Sequence, residues 1–176
     1  MEVPDRPISF VPAEAGETIS LGPALKLRVM EDGSNTGKHP TNKPGKRPST
    51  QAKSPVDMRL SAVELIIPPR TAGPRPHWHE MHDETFLVTK GTVRFHIPGK
   101  PDVDASAGDY VVVPTRSPHT FSNSTDEEAR FFNTFTPAFY INYFKILGEF
   151  AKEGGLTPEV NKKAMAYFAT LPVPEP

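Results

Sequence analysis

Apolar and polar residues alternate in short runs over most of this chain, and a period of two predicts β-strands. The first clear run is Ala24–Met30, and the next, Arg59–Ile67, is closed by two prolines. Further runs rich in Val, Ile, Phe and Thr are Glu84–Thr89, Thr92–Pro98, Tyr110–Pro114, Thr120–Asn123 and Ala129–Thr136. Gly, Pro, Asn or Asp separate them about every eight to twelve residues, which is typical of an all-β sandwich or barrel.

After Pro137 the period changes to that of a helix. Apolar side chains recur at helical spacing at Phe139, Tyr143, Ile146, Leu147 and Phe150. Thr157-Pro158-Glu159 then supplies an N-cap, a proline at the first helical position and an early acid, so a second helix is predicted to about Thr170. The proline-broken tail is expected to fray. The predicted organisation is a β-domain over residues 1–137 with helices over residues 138–171 packed on it.

Residues 33–57 interrupt the strand pattern. Between Gly33 and Val56 there are five Lys or Arg, four Pro, no acidic residue and almost no apolar side chain. Such a stretch cannot bury enough apolar surface to offset its ordering entropy. It is interpreted either as a basic arm for a polyanion or as a flexible, solvated insertion between two strands. The insertion is favoured, because no aromatic residue is interleaved for stacking on bases.

Composition narrows the classes of partner and chemistry. The 176 residues are expected to form one domain, and 20 basic against 21 acidic side chains suggest neither nucleic acid nor an anionic membrane as partner. There is no cysteine, which removes disulfides, thiolate ligands and a cysteine nucleophile. The N-terminus lacks the pattern of a signal peptide, and no apolar run approaches membrane length. A cytoplasmic protein acting on a small molecule is expected.

Four candidate metal ligands come from two separate stretches of sequence. His77 and His79 are two residues apart and share one face of a strand. Glu84 begins a new strand after a turn, and His119 follows a proline-rich bend. Three imidazoles and a carboxylate on adjacent strands can close around one ion, and they suit Fe, Mn, Co, Ni, Cu or Zn better than Mg or Ca. On an octahedral ion, two positions would stay open for water, substrate or dioxygen.

The order of these residues is His-x-His-x4-Glu-x6-Gly followed by Gly-x5-Pro-x4-His-x3-Asn. This pair of spacings resembles the two signature motifs of the cupin superfamily, specifically of its small single-domain members. The resemblance covers about Gly73–Asn123, and Pro114 and Asn123 fall where the second motif places a proline and an asparagine. One departure is Arg116, which replaces a usual glycine, so the turn there cannot rely on a glycine at positive φ.

The resemblance implies a mainly β fold, the double-stranded β-helix (jelly-roll) barrel of the cupins, here with a C-terminal helical extension. It also implies that one divalent transition metal is bound inside the barrel by His77, His79, Glu84 and His119. Iron is the expected ion, with Ni, Mn, Cu, Co and Zn as alternatives. A homodimer is expected by the same resemblance.

Several further side chains are candidates for the pocket around the metal. Arg75 shares the ligand face and is interpreted either as a cation for a substrate carboxylate or phenolate, or as a structural residue at the barrel mouth. Asn133 is either a polar group of the pocket or an ordinary buried hydrogen-bonding residue. His82, in the bend between His79 and Glu84, is interpreted either as a residue of the pocket rim or as an exposed loop residue, and the exposed position is favoured. Apolar walls are predicted from Phe86, Val88, Phe95 and Phe121.

The chemistry is expected to belong to the metal, because the sequence has no glycine-rich phosphate loop, nucleophile elbow or Ser-His-Asp set. The resemblance to quercetin dioxygenase-like cupins implies a dioxygenase acting on a small aromatic or enolic substrate. Glu84 would then ligate the ion or act as a general base. One alternative is a non-redox isomerase, decarboxylase or lyase that uses the ion as a Lewis acid. Another is a cupin that binds a small ligand without turnover.

Overall fold

The computed structural model describes residues 8–21, 25–37 and 58–174. In these ranges the strands are β1 Thr18–Leu21, β2 Leu25–Glu31, β3 Ser61–Ile67, β4 Thr71–Ala72, β5 His77–His79, β6 Asp83–Lys90, β7 Thr92–His96, β8 Val103–Ser106, β9 Tyr110–Val113, β10 Thr120–Asn123, β11 Ala129–Thr136 and β12 Thr170–Pro172. A 3-10 helix, Ala138–Tyr140, leads into α1 Ile141–Lys152, and α2 is Pro158–Tyr167. Of the predicted insertion, residues 38–57 lie outside the described ranges.

Ten of the described strands form two antiparallel sheets that enclose a common core, and β5 and β12 form a separate two-stranded sheet. The six-stranded sheet has the order β1-β2-β3-β11-β6-β9, and the four-stranded sheet has the order β4-β10-β7-β8. β11, late in the chain, lies between β3 and β6, so strands distant in sequence become neighbours. The predicted fold class, a jelly-roll barrel with C-terminal helices, is confirmed. None of the helices in the described ranges is long and apolar enough to cross a membrane.

Aromatic side chains join the two sheets. The alternation of β6 and β11 directs Phe86 and Phe131 inward, where they meet Phe95 and Phe121 from the opposite sheet. The ring centroids of Phe86 and Phe95 are 5.2 Å apart, and those of Phe121 and Phe131 are 5.1 Å apart, both edge to face. Burial of one such ring contributes about 1.5–3 kcal/mol. These contacts hold the barrel closed at the level of the candidate site.

The C-terminal helices pack against the barrel. Gly148 of α1 lies so close to Ile19 of β1 that a Cβ there would come within 2.5 Å of Ile19 Cγ2. The start of α2 follows the prediction, because Thr157 Oγ1 accepts a hydrogen bond from the backbone N–H of Val160 at 3.2 Å. The helix ends at Tyr167, earlier than the predicted Thr170, and Ala169 then adopts a φ of 51°.

The tail after α2 corrects the prediction of a frayed terminus. Its strand β12 pairs antiparallel with β5, with Thr170 opposite His79 and Pro172 opposite His77. The backbone N–H of Val173 donates to the carbonyl of Pro76 at 2.9 Å and extends the pairing. The local proline content predicted disorder, but β5 offers backbone groups that the tail satisfies. Tertiary pairing therefore outweighs local propensity here.

Gly91 closes the β6–β7 hairpin, which the Lys90-Gly91 pair predicts, and it has a φ of 66°. Gly99 has a similar φ of 75°, but the two glycines differ in their surroundings. A Cβ added at Gly91 would lie 2.8 Å from the carbonyl oxygen of Glu128, whereas a Cβ added at Gly99 would have no atom within 4 Å.

Gly99→Ala should lose about 1–2 kcal/mol of unfolding free energy from the left-handed backbone alone. Gly91→Ala should lose more unfolding free energy, because its Cβ would also clash with the carbonyl oxygen of Glu128. Urea unfolding measures both losses. Equal losses would contradict the close approach.

Candidate metal centre

A backbone bridge brings the two histidine stretches together. The N–H of His77 donates to the carbonyl of His119 at 3.0 Å, and the N–H of His119 donates to the carbonyl of His77 at 2.9 Å. Within β5 the alternation turns both His77 and His79 inward, and both are buried. The bridge therefore sets the ring of His119 beside the two rings of β5.

Three imidazoles and one carboxylate converge at this point. The rings of His77, His79 and His119 each offer a nitrogen within 4.8 Å of the others. Glu84, on β6, is buried and places Oε1 3.1 Å from His79 Nε2 and Oε2 3.7 Å from His119 Nε2. The four residues predicted to share one ion are thus brought into one cluster.

The outer nitrogen of each imidazole is held by a fixed partner. His77 Nδ1 lies 2.8 Å from the carbonyl of Arg75, and His119 Nδ1 lies 3.0 Å from the carbonyl of Ser117. A carbonyl only accepts, so in both rings Nδ1 carries a proton, and in the neutral ring the lone pair of Nε2 faces the cluster. His79 Nδ1 contacts Thr170 Oγ1 at 2.9 Å. Such partners orient metal-ligating histidines and fix their tautomers.

One buried polar atom in the cluster has no protein partner. His79 Nε2 is inaccessible to solvent and makes no well-formed hydrogen bond with any described residue, although Glu84 Oε1 is 3.1 Å away. A buried nitrogen left in this state is costly. A divalent ion between the imidazoles and the carboxylate would supply the missing partner. The donor set, all nitrogen apart from one carboxylate, fits a divalent transition metal.

His82 is the principal correction within the site. It was predicted to be an exposed loop residue, but it is 4% exposed, and its Nε2 lies 3.3 Å from Glu84 Oε1. Its ring packs against His79 and Tyr140, with centroid distances of 4.0 and 4.1 Å. Because His82 is two residues before Glu84, it shares the inward face of the chain entering β6. The two-residue spacing from Glu84 is therefore the feature of the sequence that indicates an inward-facing His82.

Most of the cluster is held in the protonation state that binds metal. Burial, together with the charges of His119 and His79, lowers the pKa of His77 to about 4, and burial also lowers the pKa of His79. Burial opposes a charged Glu84, yet the three imidazoles around it hold the pKa of its carboxyl well below the usual value. Burial also opposes a charged His119, but the neighbouring Glu84 carboxylate raises its pKa. A divalent ion binds neutral imidazoles and an ionised carboxylate, so it would have to displace the proton of a charged His119.

A cavity of about 230 Å³ opens beside the cluster. His77, Glu84 and His119 line it, as do three of the residues predicted for the pocket, which are Phe86, Phe121 and Asn133. Asn133 Nδ2 donates to the carbonyl of Thr85 at 3.0 Å. Val88 and Phe95 are buried in the core and Arg75 is exposed, and none of these three is among the residues that line the cavity.

The pocket residues predicted from the sequence leave out one wall of this cavity, although the aromatic stripe that contains Tyr143 also allowed a helix that closes the barrel mouth. This wall is built by the C-terminal segment, from Tyr140, Tyr143, Phe144, Leu147, Leu156, Asn161, Met165 and Thr170. Helical periodicity marks α1 as amphipathic, but it cannot tell packing on a filled core from packing over a cavity. Nothing local in the sequence pairs Thr170 with His79.

The turn before His119 contains the departure from the cupin motif. Arg116 adopts a φ of 66°, so a non-glycine residue occupies the left-handed conformation. Its backbone N–H donates to the carbonyl of His79 at 2.8 Å, and its guanidinium contacts Glu80 at 2.7 Å. These bonds hold the turn in place without a glycine.

Comparison with known proteins agrees with the geometry. A family model for the cupin domain matches residues 63–135. No curated protein has a significantly matching sequence. The structure of KdgF from Halomonas sp. aligns with a TM-score of 0.53 and 20% identity over 73% of this chain and 94% of that chain. At this identity the likeness is one of fold.

Two further solved structures align over similar lengths. An RmlC-like cupin from Shewanella frigidimarina has a TM-score of 0.51 and 20% identity over 75% of this chain and 93% of its own. The polyketide cyclase RemF from Streptomyces resistomycificus has a TM-score of 0.53 and 16% identity over 73% and 79%. These structures share the barrel, and one of them is a polyketide cyclase, but the fold alone does not set the reaction.

Thr170→Val should weaken metal binding by about 10- to 100-fold, because it removes the hydroxyl that orients His79 while keeping the shape of the side chain. Thr170→Ser keeps the hydroxyl and should bind metal almost as the unaltered protein does. Competition with a chromophoric chelator measures both affinities for zinc. Equal affinities for the Val and Ser variants would show that the Thr170 hydroxyl plays no part in orienting His79.

Proposed function

We propose that this chain, in which residues 63–135 match a family model for the cupin domain, is a small cupin that acts as a metal-dependent dioxygenase on a small aromatic or enolic substrate. The observation that carries the proposal is the convergence of three buried imidazoles and one carboxylate at the edge of an apolar cavity. The ligating atoms face a space that a small substrate can enter.

His77, His79 and His119 would hold the ion through Nε2, with Glu84 as the fourth ligand. Iron is the proposed ion, and the same donors accept Ni, Mn, Cu, Co or Zn. When bound, a redox-active ion supplies the electron transfer that allows dioxygen to react with an enolate or a phenolate. The remaining steps depend on how the protein binds the substrate and handles its proton.

Glu84 is proposed to take the proton of the substrate hydroxyl. It lines the cavity, and its Oε2 has the longer contact, 3.7 Å to His119 Nε2, so this oxygen is the more available one. The imidazoles keep its pKa low, and a carboxylate of low pKa is a weak base. A weak base of this kind can take a proton from an acidic hydroxyl, as in an enol or a phenol, but not from an ordinary alcohol. This match supports the proposed substrate class.

The apolar walls would keep water away from the reacting groups. Phe86, Phe121 and Phe131 line the cavity on the barrel side, and Phe144 and Leu147 line it on the helix side. Exclusion of water strengthens the electrostatic contacts within the cluster and protects a reactive substrate anion. The substrate-binding role of Arg75, a homodimer and a cytoplasmic location stay predictions.

The test compares the metal-free protein with its iron-loaded and zinc-loaded forms in an oxygen electrode, using panels of flavonols, catechols and enediols. The iron form should consume oxygen in step with substrate loss, while the zinc and metal-free forms should not. His119→Gln should abolish this oxygen consumption, because it removes a proposed metal ligand. His96→Gln is the matched control, because that histidine hydrogen-bonds Ser122 and contacts Asp102 outside the cluster.

Two results would contradict the proposal. Substrate loss without oxygen consumption, supported equally by zinc, would identify a Lewis-acid isomerase, decarboxylase or lyase. Substrate binding without turnover for any restored metal would identify a ligand-binding cupin.

A further inference from the structure

We propose that Tyr143 and Asn161, on the two C-terminal helices, form a recognition site for a second polar group of the substrate, and that the substrate carries no charge beyond its metal-ligating oxygen. The inference rests on the proposed function only in taking the metal centre as the anchor for one end of the ligand. It names the substrate class and two specificity-determining residues.

The charge of the cavity limits what it can hold. Among the described residues that line it, none is Lys or Arg, and Glu84 is the only carboxylate. A divalent ion beside that carboxylate leaves one net positive charge, which a single enolate or phenolate neutralises. A second carboxylate or a phosphate would be buried without a cationic partner, and that is costly. The cavity therefore favours a ligand with a neutral body.

One polar pair interrupts the apolar wall formed by the helices. Tyr143, on α1, donates its hydroxyl to Asn161 Oδ1, on α2, at 2.7 Å. Burial raises the pKa of the Tyr143 phenol, so it stays neutral and its oxygen can still accept a hydrogen bond. Asn161 Nδ2 has no hydrogen-bond partner in the described part of the chain. The pair can thus donate to a ligand oxygen and accept from a ligand hydroxyl.

The pair is placed to meet a ligand that also reaches the metal centre. The ring of Tyr143 stacks on Tyr140 with a centroid distance of 5.0 Å, and Tyr140 packs on His79 at 4.9 Å. Both Tyr143 and Asn161 line the same cavity as His77, Glu84 and His119. The polar pair is therefore separated from the ligand cluster by one aromatic side chain, a spacing that one substituted ring can bridge.

The cavity volume agrees with this size of ligand. A dry apolar cavity of about 150 Å³ is enough to bind benzene. The cavity here, about 230 Å³, leaves room for one ring with a short substituent. The inferred substrate is a monocyclic phenol or enol whose side chain ends in a hydroxyl or carbonyl group.

Three catechols test the inference, because they present the same chelating ring and differ only at the end of a two-carbon side chain. They are 4-ethylcatechol, 4-(2-hydroxyethyl)catechol and 3,4-dihydroxyphenylacetate. Their dissociation constants for the zinc-loaded protein are measured by titration calorimetry without oxygen, so that turnover does not intervene. The hydroxyethyl compound should bind about 3- to 10-fold more tightly than the ethyl compound, in line with one net hydrogen bond. The carboxylate should bind most weakly.

Variants assign the effect to the polar pair. Asn161→Leu and Tyr143→Phe should each remove the preference for the hydroxyethyl compound over 4-ethylcatechol. Glu159→Gln, at an exposed position on α2, the helix of Asn161, should keep the preference for the hydroxyethyl compound. Thermal melting of the variants reports whether they fold.

An unchanged preference in folded Asn161→Leu and Tyr143→Phe would overturn the role of the pair, and tightest binding of the carboxylate would overturn the inferred charge. In both cases the metal-dependent function would stand, because the catechol ring still binds. Failure of all three catechols to bind the zinc-loaded protein would instead count against the metal anchor and thus against both proposals.

Discussion

The pair of backbone hydrogen bonds between His77 and His119 is the constraint on which the site depends. It joins two stretches of sequence about forty residues apart, and the strand alternation around it turns three imidazoles toward Glu84. Packing these polar groups into an apolar barrel would be unfavourable unless each were satisfied. The carbonyls of Arg75 and Ser117 satisfy two outer nitrogens, and the carboxylate faces the inner ones. The buried Nε2 of His79 is the part of this arrangement that the protein leaves for an ion.

The C-terminal segment is part of the centre rather than an appendage to it. β12 pairs with the strand that carries His77 and His79, and its Thr170 holds the outer nitrogen of His79. Tyr140, just before α1, packs its ring on both His79 and His82. The helices between Tyr140 and Thr170 form one wall of the cavity. One continuous segment therefore supports a metal ligand and forms a wall of the pocket, which links the chemistry of the centre to the choice of substrate.

Much of this arrangement could be predicted from the sequence. Period-two alternation located most of the strands, and the spacing of His77, His79, Glu84 and His119 identified the cluster. β8 was missed because only one of its four residues, Ala105, is buried, so its pattern is weak. Alternation predicts which side chains point inward, but it does not tell whether an inward side chain lines the cavity or fills the core. Phe86 and Phe121 line the cavity, whereas Val88 and Phe95 fill the core. The burial of His82 and the pairing of Thr170 depend on tertiary contacts that no local pattern carries.

The most direct test of the account is the metal content of the purified protein, with its affinity measured after chelation and reloading. We predict one divalent transition-metal ion per chain, lost in His119→Gln and retained in His96→Gln. X-ray absorption should then show imidazole nitrogens with carboxylate oxygen around that ion. A protein that binds no such ion, or that binds it equally well without His119, would contradict the central claim.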